Sequence, residues 1–323
     1  MDYFFKPESF DIHPLVKQYN GKEVEELFDN YQAISNEFGS FMDISWKITD
    51  FRNSLNHHHT KKKVLYDLKT VYYIGECVER DLKKRGVKTL YDLRMNFKYN
   101  RSAISILESI KSKDYQSLYS NKNINDLDVA FCFESNDFLF LDIETLGIYD
   151  SPVIIVGLGY FQDGIFTINI LFARDLEEEI AIFEHLRTKI LPFFKCFVTY
   201  NGKTFDIPNI ANRFMYFFDE NPMISIEDSP YEFSNTLFHH IDLYHNCRRK
   251  YKEKFYDFSL TNMERKLLDF KRENELPGST VGVFYRKYLE NPRKYVGLIK
   301  ECIEHNYWDI YTLPLIFQKL LER

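Results

Sequence analysis

At 323 residues the chain has room for two domains of ordinary size, each with its own core, which excludes a peptide hormone or a disulfide-stapled mini-protein. Apolar residues at 45% and charged residues at 28% are the balance of a globular protein and exclude a disordered tail. The net charge of −6 would argue against a polyanionic partner if it were evenly spread, but Lys61–Arg101 holds 12 basic against 5 acidic residues, while residues 131–323 hold 22 basic against 29 acidic.

Residues 1–60 show no clean period, and the sequence assigns them no role. Ten charged residues among the first thirty break any apolar signal core, and no apolar run approaches a membrane span. The five cysteines are widely spaced without a CxxC pair, so they read as buried thiols of a reducing compartment, and a cytoplasmic location is expected. The stretch NSLNHHHTKKK reads as an exposed polar loop. His57, His58 and His59 are adjacent, so their side chains diverge and do not form a converging metal site.

From Val64 to Leu107 apolar residues recur at helical spacing, broken at Gly75 and Gly86, and the expected helical, basic segment spans 61–130. Beyond Asp137 the texture alternates between strand and helix. Strands are expected at 138–144, 152–160 and 165–172, the last two joined by the turn QDG. A helix opens at Asp175, with Glu178 closing a capping box, and runs to about Ile190. A strand at 196–200, a helix from Asp206 through Phe217, an acidic loop from Asp219 to about Ser234 and a short strand near Ile241 follow. The GLG of the second strand precedes another strand, not a helix, so a dinucleotide fingerprint is excluded.

Four acidic residues, at three places in the chain, stand out. Asp142 and Glu144 lie at i and i+2 of an apolar strand, so both carboxylates project from one face, where a hard divalent cation would offset their repulsion. In YNGKTFDIPN, Asp206 opens the helix after a turn at Asn201 and Gly202. In the last helix, Leu298, Cys302, Asn306, Asp309 and Leu313 share one stripe, which buries Asp309, and His305 precedes it by one turn.

The order LDIET, YNGKTFD, HNYWD resembles the DEDD family of 3′–5′ exonucleases with the RNase H-like fold. FSLTNMERKLLDFKRENELPGSTVGVFYRKYL, followed by HNYWDIYTL, resembles its YprB-like branch over residues 64–323. The resemblance implies an α/β fold, a mixed sheet flanked by helices over 131–323, preceded by a small mainly helical domain. It implies that Asp142, Glu144, Asp206 and Asp309 hold two Mg²⁺ or Mn²⁺ ions for in-line displacement at phosphorus. The family's general base is a His five residues or a Tyr four residues before the last Asp; His305 takes the four-residue spacing and is the expected base. Thr145, Asn201 and Phe205 are expected at the substrate. The string TVYYIGECVERDLKKRGVKTLYDL resembles a helix-hairpin-helix, with Tyr73 in place of its first glycine, so it reads either as a phosphate-binding hairpin or as a structural element. Lys83, Lys84 and Arg85 are its expected grip on nucleic acid.

The expected activity is therefore a metal-dependent nuclease, a 3′–5′ exonuclease on single-stranded DNA or RNA ends. A non-catalytic nucleic-acid-binding or assembly module and a structure-selective endonuclease are the rival readings. Sequence leaves DNA against RNA and oligomeric state open. HHIDLYHNC (239–247) carries three histidines, Asp242 and Cys247, but its spacing matches no closed tetrahedral site, and it reads as structural.

Overall fold

The computed structural model describes residues 12–49, 51, 55–148, 150–221, 238–272 and 276–322. Its strands are β1 (Tyr31–Asn36), β2 (Gly39–Ile48), β3 (Phe138–Thr145), β4 (Val153–Gln162), β5 (Ile165–Phe172), β6 (Cys196–Thr199) and β7 (His239–Asp242). They form one mixed sheet in the order β1-β2-β5-β4-β3-β6-β7, antiparallel from β1 to β3 and parallel from β3 through β7. The helices are α1 (His13–Tyr19), α2 (Thr60–Tyr66), α3 (Glu76–Lys84), α4 (Leu90–Leu93), α5 (Asn100–Ser112), α6 (Tyr115–Tyr119), α7 (Glu179–His185), α8 (Asp206–Phe218), α9 (Leu243–Tyr251), α10 (Leu260–Met263), α11 (Val281–Glu290) and α12 (Pro292–Leu321).

Pleating sorts β3 between two cores. Phe138 and Phe140 join the core that contains Leu298, Cys302 and Leu313 of α12, whereas Leu139, Leu141 and Ile143 join the core formed with α7 and α8. The fold is thus an α/β sandwich with helices on both faces. The β4–β5 hairpin turns at Asp163 and Gly164, both with positive φ (51° and 78°), as a two-residue hairpin requires. A third core, around Leu68, Leu90, Leu93 and Ile110, belongs to the helical segment.

Several expectations are corrected. The segment before residue 60 supplies the edge hairpin of the sheet, with β2 paired to β5 from Met42↔Phe172 to Ile48↔Phe166. Phe41 to Ile44 are all buried, Asp43 included, so no alternation marks the strand. Asp43 is accommodated because it accepts hydrogen bonds from the side-chain amides of Gln32 and Asn169, at 2.9 and 2.8 Å. His57 is fully buried, not exposed, with its ring between the carbonyls of Leu55 and Phe133, at 2.6 and 2.8 Å. Asp175 does cap its helix, accepting from the N–H groups of Glu177 and Glu178, but Glu178 accepts from the N–H of Arg174, so no capping box closes. Most of the acidic loop after Asp219 lies outside the described residues.

Candidate active site

The site forms where the parallel ladder ends. β3 pairs with β6 only from Phe138↔Cys196 to Phe140↔Val198, so the ladder on that edge stops short of Ile143, which pairs with Val156 on β4. Asp206, in the first turn of α8, accepts from the N–H of Ile143 at 3.0 Å. The turn that delivers α8 is held by Asp242 at the end of β7, fully buried, which accepts from the N–H groups of Asn201, Lys203 and Tyr244 at 3.0, 3.1 and 3.0 Å. Ligand sites of open α/β sheets lie in this position, beyond the carboxyl ends of parallel strands.

Asp142 and Glu144 continue the parity of Phe138 and Phe140 and so face α12. From α12, the amide of Asn306 donates to Asp142 Oδ2 at 2.7 Å. His305 Nε2 lies 3.3 Å from Asp309 Oδ2 and 3.5 Å from Glu144 Oε1. Glu144, His305 and Asp309 each turn a ligand-type atom into a space within 4.8 Å of the others. Their side chains keep 12%, 16% and 9% of their surface exposed, so the floor of the cleft is desolvated but reachable. The cleft measures about 600 Å³, and Asp142, Asp206, Thr145, Asn201 and Phe205 also line it.

Burial is the largest force on these carboxyls. It raises Asp142 and Glu144 well above the usual carboxylate range, and repulsion from Asp309 and Asp206 adds to it. Asp206 is pushed up to about 7 by burial, against the opposing hydrogen bond from Ile143. Among the described residues one arginine bonds to them directly: Arg272 Nη2 donates to Asp309 Oδ1 at 2.5 Å, while Arg286 stands exposed at the rim of the cleft and donates to the carbonyl of Leu146. Burial works against the Arg272 guanidinium, but Asp309 and Glu264 outweigh it and raise its pKa, so it stays charged. Four carboxylates against the guanidinium groups of Arg272 and, at the rim, Arg286 still leave a surplus of negative charge, and their hard oxygen donors suit Mg²⁺ or Mn²⁺.

All five residues expected at the chemistry, Asp142, Glu144, Asp206, His305 and Asp309, line this one cleft, together with Thr145, Asn201 and Phe205. Thr145 donates to the carbonyl of Gly147, and Asn201 takes a left-handed turn conformation (φ 63°). Lys83, Lys84 and Arg85 lie at the end of α3, outside the cleft lining, and Lys83 pairs with Glu79 at 2.7 Å. Tyr73 takes a left-handed conformation (φ 67°) of the kind a glycine adopts without strain, and is 81% exposed. The 239–247 cluster does not converge: His239 Nε2 meets the carbonyl of Asp126, His240 Nε2 meets Thr199, and Asp242 holds backbone. Arg272, Glu264 and the structural role of Asp242 escaped sequence reasoning. Glu264 and Arg272 stand eight residues apart in the quoted ERKLLDFKR, a spacing without meaning until a π-turn at Glu264–Leu268 and a left-handed Asp269 (φ 52°) reverse the chain.

Comparison with known proteins fits this architecture. The chain is 24% identical over 204 residues to the uncharacterized protein YprB of Bacillus subtilis (strain 168), a match that covers 62% of this chain and 46% of YprB. Among the described residues no helix is long and apolar enough to cross a membrane. Residues 139–321, which run from β3 to the end of α12, match the RNase_H superfamily, and the chain belongs to that superfamily as a YprB-like member.

Proposed function

We propose that the protein is a metal-dependent nuclease that removes nucleotides from the 3′ end of single-stranded DNA or RNA. The observation that carries this reading is the gathering of Asp142, Glu144, Asp206 and Asp309, with His305, in one cleft at the end of the parallel strands. Asp142, Glu144, Asp206 and Asp309 would hold two Mg²⁺ or Mn²⁺ ions, whose chemistry is to activate water and to offset charge on the oxygens of an in-line displacement at phosphorus. Asn306 fixes the rotamer of Asp142, and the N–H of Ile143 fixes Asp206. His305 Nε2 faces the cleft and would take the proton of the attacking water as the P–O3′ bond breaks. Thr145, Asn201 and Phe205 would seat the terminal nucleotide. The basic segment would hold the strand further from its end through Lys83, Lys84 and Arg85.

The test is digestion of end-labelled single-stranded and duplex DNA and RNA with Mg²⁺ or Mn²⁺. A ladder that shortens from the 3′ end is expected, together with its loss in Asp142→Ala with the fold and nucleic-acid binding intact. Internal cuts would support the endonuclease reading, and binding without cleavage would support the non-catalytic module.

A further inference from the structure

Arg272 is the arginine that bonds directly to a carboxylate of the proposed metal site, and it is 6% exposed. Its five N–H groups are all directed inward. Nε and Nη2 form a fork on Glu264, at 3.0 and 2.5 Å. The second Nη2 hydrogen reaches Asp309 Oδ1, and Nη1 faces His305 Nδ1 and the His305 carbonyl, each at 3.4 Å. Nothing remains to grip a substrate phosphate. Glu264 is fully buried and also accepts from the Thr312 hydroxyl at 2.6 Å, so the clamp is anchored on the side away from the cleft.

The two oxygens of Asp309 are therefore unequal. Oδ1 belongs to the guanidinium, while Oδ2 faces His305 Nε2 and the cleft. An ion arriving at Asp309 meets a fixed positive charge behind the carboxylate and can take one oxygen without displacing Arg272.

We propose that Arg272, clamped by Glu264, is a resident cation of the acidic cluster that reserves Asp309 Oδ1, presents Oδ2 to the cleft and weakens divalent-ion binding there. This inference rests on the metal-site reading above. It makes Arg272 a positioning residue with an electrostatic cost for metal, and that sign separates it from a merely structural arginine. Freeing Asp309 from a competing cation tightens metal binding, whereas loosening a structural clamp weakens it.

The test is calorimetric titration of Mn²⁺ into the purified full chain, with no substrate present. Arg272→Gln is expected to bind Mn²⁺ at least about tenfold more tightly than wild type. Because that variant leaves Glu264 charged and buried without its cation, the double variant Arg272→Met/Glu264→Gln is measured beside it; its net charge is unchanged, and a smaller gain in the same direction is expected, since Arg272 is the nearer charge to Asp309. Arg272→Lys, which keeps the charge, is expected to stay within about threefold of wild type. Equal or weaker Mn²⁺ binding by a variant whose circular dichroism and melting stay cooperative overturns the proposal. If wild type binds Mn²⁺ and Asp142→Ala does not, the metal site survives that outcome. Absence of saturable Mn²⁺ binding in wild type and variants alike overturns the metal-site reading and this inference with it.

Discussion

A carboxyl group in a cleft ionises against lost hydration and against its neighbours' charge, and Asp206 meets both. Its pKa rises from 3.8 to about 7, so between those values the folded chain keeps a proton that the unfolded chain has released. The stabilisation this proton provides is complete below about 4 and is lost as pH rises through about 7. In metal-free protein, Asp206→Asn should remove that slope and raise stability at pH 8 by up to about 4 kcal/mol, while Mn²⁺ should stabilise wild type at pH 8 and not the variant. Urea unfolding at pH 5 and pH 8, with chelator or with Mn²⁺, checks both. His305 is the other residue whose role turns on one atom. His305→Ala should lower turnover by about 10² to 10⁴ with Mn²⁺ affinity nearly unchanged, as expected of a proton acceptor. A matching loss of Mn²⁺ binding would instead make the imidazole a ligand beside Glu144 and Asp309.

At the scale of elements, the site depends on how closely α12 crosses the sheet. The GLG of β4 excludes a dinucleotide site in sequence, and its glycines have a packing reason in the structure. A Cβ on Gly157 would stand 2.2 Å from Asn306 Oδ1 and 2.7 Å from Ile310 Cγ1, and one on Gly159 would stand 2.6 Å from Ile310 Cγ2. Both lie under the turn of α12 that carries His305, Asn306 and Asp309. Gly157→Ala should therefore cost about 1 to 3 kcal/mol of stability, because the new methyl has to push aside the buried Asn306 amide and the Ile310 side chain. It should also weaken Mn²⁺ binding, since displaced Asn306 releases Asp142. Chemical denaturation and calorimetry on the same sample test the link; lost stability with unchanged Mn²⁺ binding would separate packing from the site.

Over the whole molecule, Asp126 ties the helical segment to the sheet. It is buried, held at a pKa of about 2 despite its burial, and bonded to Lys203 and Arg249 at 2.9 and 2.8 Å. Lys203 stands in the turn that Asp242 organises, so the basic segment joins the sheet through the element that delivers Asp206. The split of charge follows this arrangement, with the surplus of basic residues on the helical segment and the carboxylates at the sheet. Alanine at Lys83, Lys84 and Arg85 together should weaken binding of single-stranded nucleic acid and flatten the slope of log K against log salt by about 2. An unchanged slope, measured by fluorescence anisotropy, would make those residues a solvated face.

What sequence alone determines here is set by local geometry. The period of two places Asp142 and Glu144 on one face of β3. The helical period buries Asn306 and Asp309 and stacks His305 one turn from Asp309, and the Asp-Gly turn closes β4 onto β5. These relations join residues a few positions apart, where backbone geometry fixes direction. The edge hairpin escaped because Phe41–Ile44 is covered on both faces, which erases alternation, and because Asp43 in its middle finds partners on β1 and β5. Tertiary structure alone decided that Arg272 reaches Asp309 across 37 residues, that Asn306 reaches Asp142 across 164 and that Asp206 caps Ile143 across 63. Such contacts depend on strand order and on the path of α12 over β4, and no local period encodes either.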